Sequence, residues 1–468
     1  MNDVHTLFRL PTVTALGPVA TPQAEPVNQA MLEAKRRWAI AAWFGIATYL
    51  AWSPLTVVNK LLPAGSSTRG VVLTLVPLVG VFVILKLPTT ARNQRVDLVV
   101  LLLTSLTILE AISVEQNAGF SYFLHVFPSV ALLTLGVVAR SAVDGLSIRD
   151  IRTALTSVLA PLSSLLILGW IAQFAHLVPQ VTGAQTQSAF FLSIHGYRLQ
   201  GLTSSPNILG FLAALTTLVA FVARGSRVSW VTRVVGLLTL MVTDSRTSMV
   251  VLGVGLFTLW VLGPGWTTAR RVTAFFGLLL AAIVSWQLID VQRATNTDIL
   301  SGRDVIWRDL LPYLHHLPIL GWGPKFFPEL VPLVFGPFAV PGQILDPQNQ
   351  WLSDSLEFGF VAAILLTGLL VVIPRYGSWT YRRLLLFPLL IAVIIECLSE
   401  VPLAIFSSID GALPLFLLIM WAPLRSPQSS SGGQVMVNFD EFVWSKLSSS
   451  RQAARPMDPA HSNGVEHG

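Results

Sequence analysis

An all-α protein that crosses a membrane about twelve times is the fold class this sequence predicts, on three observations. Hydrophobic residues make up 53% of the chain and charged residues only 12%, with a mean hydropathy of +0.67, which an ordinary soluble globule does not show. Apolar runs of 15 to 24 residues recur between Trp38 and Trp421, each near the length that spans ~30 Å of hydrocarbon as a helix. Lysine and arginine, finally, cluster in alternate connections between those runs.

The predicted spans are roughly 38–58, 70–87, 97–114, 121–139, 154–176, 206–223, 229–243, 247–263, 272–290, 352–374, 384–400 and 408–423. The seventh is short, and its boundary with the eighth is the least sharply marked. With both termini in the cytoplasm, 22 of the 30 Lys and Arg fall on the inner side and eight outside, the bias that sets orientation in a plasma (inner) membrane. The positive net charge then reflects membrane orientation, so the lipid bilayer is the partner it implies and no nucleic acid is expected. The lone Cys397 lies inside an apolar run, which excludes an intramolecular disulfide and suggests no thiolate zinc site. Residues 1–34 lack the short apolar core and cleavage site of a signal peptide, so the first span serves as an uncleaved insertion signal. The organisation is a loose cytoplasmic tail (1–37), one transmembrane domain (38–423) and a second loose tail (424–468) rich in Ser, Gly, Gln and Pro. No internal repeat stands out, which counts against an inverted-repeat transporter.

The eight outer basic residues include five in unusual places. Arg198 lies in HGYRLQGLTSSPN, Arg246 in TDSRTS at the start of the eighth span, and Arg303, Arg308 and Lys325 in the segment 291–351. That segment has 61 residues, far more than its neighbours, and long structured loops usually carry function. Within it, Ser301 and Asp304 match a capping box. Ile306, Leu310, Tyr313 and Leu317 recur at helical spacing opposite Arg303, Asp304, Arg308 and His315, as in an amphipathic helix lying at the interface. Pro312 bends or interrupts that helix, Pro318, Gly321 and Gly323 end it, and Trp307 and Trp322 suit the headgroup layer.

The sixth, eighth and tenth spans all begin at the outer face, and each opens with capping residues: Ser205-Pro206-Asn207, Asp244-Ser245 and Asp346-Pro347-Gln348-Asn349. Free amides and the positive ends of three helix dipoles meet there, a geometry suited to a phosphate. Arg246 in a first helical turn opposes its own dipole unless an anion sits between them; the alternatives are pairing with Asp244 or reaching to water. Several guanidinium groups beside helix N-termini favour a diphosphate over a carboxylate, with an anionic lipid headgroup as the competing ligand.

These residues also carry a family resemblance. GRDVIW, LPILGWGP and NQWLSDSLEFGF, with RLQGLTSSPNILG and DSRTS before them, resemble in order the motifs of the O-antigen ligase and O-antigen polymerase family, over roughly 195–360. The resemblance implies a membrane glycosyltransferase that takes a glycan from an undecaprenyl-diphosphate carrier at the outer face and gives it to a sugar hydroxyl of a glycan or lipid-glycan acceptor. It implies no cofactor and no metal, and the chain shows neither an Asp-x-Asp nor a paired-His zinc pattern.

On that reading Arg198, Arg246 and Arg303 hold the diphosphate and stabilise charge as the sugar leaves, and Asn207, Trp307, Arg308, Gln348 and Asn349 line the substrate site. One departure matters. Where ligases carry His before Asn, this chain has Gln348-Asn349, and an amide cannot accept a proton as a general base. Asp346 is the candidate base and equally a candidate N-cap. His315 and His316 point about 100° apart on a helix and so cannot both face one ligand. Trp307 either stacks on a sugar or anchors the loop, Asn349 either orients the acceptor or completes the cap, and Glu357-Phe358-Gly359 reflects helix packing. A secondary transporter with twelve spans and a non-catalytic scaffold are the competing classes; ionisable residues at mid-membrane are a mark of the first, and its candidates, Glu110 and Glu396, sit near span ends.

Overall fold

The structure, a computed structural model, describes residues 98–118, 127–143, 148–177, 181–182, 197–203, 205–223, 226–263, 267–274, 310–323, 349–375 and 386–400, with isolated positions elsewhere. The first, second, ninth and twelfth predicted spans and both tails fall almost wholly outside these residues. So do the Ser301/Asp304 capping box and four site candidates, Arg303, Arg308, Asp346 and Gln348.

The described residues are helical apart from turns and one small ladder, as the all-α reading expects. The helices are α1 (Leu98–Ala118), α2 (Phe127–Val143), α3 (Ile148–Phe174), α4 (Pro206–Val222), α5 (Arg227–Thr243), α6 (Arg246–Val261), α7 (Gln350–Phe358), α8 (Phe360–Val372) and α9 (Phe387–Ser399). Between α3 and α4 the sequence reading expects no strand, yet β1 (Val181–Thr182) pairs antiparallel with β2 (Tyr197–Arg198), Val181 opposite Arg198. One helix among the described residues, Thr153–Phe174, is long and apolar enough to cross a membrane; five others are apolar but shorter.

Helix α4 is the hub. It is apolar all round and buried from Leu209 to Ala220, the pattern of a helix enclosed on every side, and α3, α5, α6 and α9 pack around it. Helix α5 reverses the pattern of a soluble protein. Its buried residues are mostly small or hydroxylated, Ser229, Thr232, Gly236, Thr239 and Thr243 beside Leu240 and Val242, while Trp230, Val234, Leu237, Leu238 and Met241 are exposed. Small and hydroxylated residues inside with large apolar ones outside suit a helix that meets its neighbours closely and faces lipid. The close approach is visible at Gly236, where an added Cβ meets Thr217 Oγ1 of α4. The hydroxyls are satisfied: Thr239 Oγ1 donates to Val235 O at 2.8 Å and accepts from Trp170 Nε1 at 2.9 Å.

The tenth predicted span is not one helix. It breaks at Gly359 (φ 86°, ψ 164°) into α7 and α8, and the reason is tertiary. The turn at 318–323 lies against the break, with Ile319 O where a Cβ on Gly359 would sit. Trp322 N–H donates to Leu356 O at 2.7 Å and Gly323 N–H to Glu357 O at 2.8 Å, so carbonyls near the interruption find donors in the turn. Ser113 Oγ of α1 reaches both sides, Leu320 O at 2.8 Å and Glu357 O at 3.1 Å.

The seventh and eighth predicted spans, whose boundary was least marked, are separated by Asp244 in the left-handed conformation (φ 49°). Cys397 is buried in α9.

Candidate functional site

Helices α4, α6 and α7 all begin at the end of the bundle where α9 finishes. The last turn of α9 joins the three starts. Glu396 Oε1 accepts from Ser248 Oγ of α6 at 3.2 Å, Leu398 O accepts from Asn349 Nδ2 at the start of α7 at 3.0 Å, and Glu400 Oε1 accepts from Asn207 Nδ2 of α4 at 2.8 Å. Just beyond, Leu403 N–H donates to Gln350 Oε1 at 2.8 Å. The expected gathering of three helix N-termini is therefore present, around a fourth element that sequence reading assigned no part in it.

Each start is built differently. Ser205 caps α4, its side chain accepting from Ile208 N–H at 3.2 Å, with Pro206 in the first turn. Asn349, rather than Asp346, is the N-cap of α7, its Oδ1 accepting from Leu352 N–H at 3.0 Å. Because the other end of its amide holds Leu398 O, Asn349 ties the cap to α9. Asn349→Ala is expected to lower stability by about 1–2 kcal/mol, a lost cap plus a lost tie, read as a lower thermal midpoint in detergent. Ser245 holds the N-cap position of α6 but makes no side-chain cap bond; its hydroxyl pairs with Ser248 Oγ at 2.7 Å. The capping expected of Asp244-Ser245 is thus not made, because Ser248 holds the hydroxyl and Asp244 has turned left-handed to reverse the chain.

Arg198 is drawn into this end by the β1/β2 ladder and by Gln173 of α3, whose Nε2 donates to Arg198 O at 3.0 Å while its Oε1 accepts from Gln200 and Gly201 N–H. Its guanidinium donates from Nε to Thr243 O at 2.8 Å, and from Nη2 to Asn207 Oδ1 at 2.7 Å and Asp244 O at 3.1 Å. It thereby caps the carbonyl end of α5, a favourable place for a cation. These three acceptors orient the guanidinium.

Arg246 occupies the first position of α6, as its motif implied, and is exposed. Among the described residues none hydrogen-bonds or ion-pairs with it, Asp244 included. Arg198 and Arg246 are thus brought to one turn, since Asp244 contacts the first and is two residues from the second.

Part of the long segment 291–351 docks onto α7. Leu310, Leu352 and Leu356 form a small buried cluster against which Trp307, Tyr313, Leu314 and Leu317 pack, so three of the four predicted apolar positions are used and Ile306 lies outside the described residues. At Pro312 the predicted helix tightens into a 3-10 segment, Leu311–His316, because proline lacks the amide that continues an α-helix. His315 and His316 are both exposed.

The residues that sequence reasoning missed are Glu400, which it passed over, and Ser248 and Thr243. The signal was present: SEVP ends an apolar run with a carboxylate two residues before a proline, at the end of the predicted eleventh span.

No curated protein matches the chain. Residues 232–367 match the family model described as O-antigen ligase, a stretch running from α5 through Arg246 and Trp307 to α8, whereas Arg198, Asn207 and Glu400 lie outside it. The match supports a membrane glycosyltransferase-like ligase role and a membrane setting. Over residues 232–367 the resemblance read from the motifs is borne out: this part of the chain matches the O-antigen ligase family.

Proposed function

We propose that the chain is a metal-independent membrane glycosyltransferase of the ligase or polymerase type, crossing the plasma membrane about twelve times with both ends in the cytoplasm. It takes a glycan from undecaprenyl diphosphate at the outer face and transfers it to a sugar hydroxyl during cell-surface polysaccharide synthesis. The observation that supports this most is the meeting of three helix starts with Arg198 and Arg246 at one end of the bundle. Amides and guanidinium groups aimed at one place suit a diphosphate whose charge grows as the sugar departs.

In this reading the isoprenoid tail lies among the spans, and Arg198, Arg246 and Arg303 hold the diphosphate with help from the amides. Each arginine aimed at developing charge contributes ~3 kcal/mol, by analogy with a single oxyanion donor. The acceptor hydroxyl attacks C1, and the ionised diphosphate leaves without a general acid. Asn207 orients Arg198, and Trp307 and Arg308 line the approach with Gln348 and Asn349.

A deletion strain tests the reading. Polymer lost with single lipid-linked units retained indicates a polymerase; long lipid-linked polymer left unattached indicates a ligase; an unchanged glycan profile overturns the proposal. A transporter draws on two observations, the broken helix at Gly359 and the buried Glu110 and Glu396. Uptake of a labelled solute by proteoliposomes, with no conversion of a polyprenyl-linked oligosaccharide, would favour it.

A further inference from the structure

Arg198 stands on a strand of two residues, too little backbone to hold a guanidinium in place by itself. What fixes it is the end of α3. We infer that Gln173 of α3 is a positioning residue for diphosphate binding, setting where the Arg198 guanidinium stands beside the starts of α4 and α6; the inference rests on the transferase reading. The Gln173 side chain is 8% exposed and spends both ends of its amide on one stretch of chain. Nε2 donates to Arg198 O at 3.0 Å, while Oε1 accepts from Gln200 N–H at 2.8 Å and from Gly201 N–H at 3.0 Å. The amide takes the place of a neighbouring strand, and the arginine's own carbonyl is one of the three groups it holds.

Helix α3 sets the placement from two sides. One turn before Gln173, a Cβ on Gly169 would lie 3.3 Å from Gly201 Cα, so the glycine lets the chain press onto the helix, and Gly201 makes that approach at φ 58°. Trp170, next to Gly169, donates from Nε1 to Thr239 Oγ1 of α5 at 2.9 Å. One turn further along α5, Thr243 supplies the carbonyl to which Arg198 Nε donates at 2.8 Å. The backbone of Arg198 and the carbonyl that its head group meets are therefore both referenced to the end of α3, the first through Gln173 and the second through Trp170. A side chain stretched between two such fixed points has little freedom, which is what a group aimed at developing charge requires.

A glutamine near the end of an apolar helix has a simpler use, which is to reach water; the burial of Gln173 excludes it. An apolar side chain of similar length would leave Arg198 O and two N–H groups in need of other partners, so a purely structural role predicts lost stability and nothing else. A positioning role predicts a loss of binding that exists only while the arginine is present. The two roles separate because Gln173 and the guanidinium act on the ligand in series, and residues in series are not additive.

The test is a double-mutant cycle of Gln173→Met with Arg198→Ala in the purified full chain, read as binding of polyprenyl diphosphate that inorganic pyrophosphate displaces. With Arg198 in place, Gln173→Met is expected to weaken binding about tenfold; with Arg198→Ala already present, by less than about twofold. Should Gln173→Met fail to accumulate, Gln173→Asn, which keeps an amide one methylene short, is expected to show the same dependence on Arg198. An equal loss in both backgrounds overturns the inference, as does wild-type affinity in Gln173→Met, or failure of both Gln173 variants to accumulate, since the amide would then serve the fold alone. Wild type that binds no polyprenyl diphosphate, or Arg198→Ala that binds it normally, sinks the diphosphate role of Arg198 and this inference together; weakened Arg198→Ala with an additive Gln173→Met loss sinks only the inference.

Discussion

Replacing Arg246 by alanine is expected to leave folded protein at normal abundance and to lower glycan transfer about 10²–10³-fold, the cost of removing one preorganised donor from developing charge. The two halves of that expectation come from different features. Arg246 is exposed at the first position of α6 and has no hydrogen-bond or ionic partner among the described residues, so the fold loses nothing with it. A cation in the first turn of a helix opposes the dipole, so alanine leaves the isolated helix, if anything, more stable. Arg198→Ala is a less clean probe, because Thr243 O, Asp244 O and Asn207 each lose a donor and the carbonyl end of α5 is uncapped. Quantifying product against abundance in both variants separates the roles: Arg246→Ala changes only the first, Arg198→Ala both.

Gly359→Ala is expected to cost about 3 kcal/mol or more and to deplete folded protein, measured as abundance in membranes and as the thermal midpoint of whatever survives. Two costs coincide there. The backbone at φ 86° and ψ 164° is close to glycine's own territory. A Cβ also meets Ile319 O, the backbone of the turn that supplies donors to Leu356 O and Glu357 O. Moving the turn away strands those carbonyls, so no local adjustment relieves the collision. Gly253 of α6 is the control. A Cβ there meets nothing within 4 Å, so Gly253→Ala is expected to be neutral or stabilising by about 0.5–1 kcal/mol through helix propensity alone.

These two glycines show where sequence reading succeeds and where it stops. Helix α4 was legible because everything that defines it is local: a Ser-Ser-Pro-Asn start, a run apolar on every side, and arginines just beyond its other end. The shared face of Leu310, Tyr313 and Leu317 was legible for the same reason, but the spacing predicted a helix lying at the interface, and that this face packs on Leu352 and Leu356 of α7 was not legible. The break at Gly359 was not, because EFGFVAAILL reads as one continuous apolar run. What interrupts it is a turn about forty residues earlier in the chain, and only the three-dimensional pairing of 318–323 with 356–359 makes the glycine necessary.

The candidate site divides along the same line. Helix starts announce themselves by their caps, so α4, α6 and α7 were placed, although at α7 the cap is Asn349 and at α6 the cap bond is absent. Helix ends have weaker signatures. The part played by α9 was hidden because an end is satisfied by whatever meets it in space: Leu398 O by Asn349, Glu400 by Asn207. Arg198 was found as a cation, but its duty at the carbonyl end of α5 depends on a ladder of two residues that no pattern in the chain announces.

Binding of polyprenyl diphosphate to the purified full chain, by equilibrium titration of wild type against Arg246→Ala, tests the central claim most directly, that helix starts and guanidinium groups at one end of the bundle hold the carrier's diphosphate. The account predicts saturable binding by wild type, competition by inorganic pyrophosphate, and an affinity at least about tenfold weaker in Arg246→Ala, equivalent to ~1.4 kcal/mol. Equal affinity of the two proteins, or binding that pyrophosphate does not displace, would contradict it.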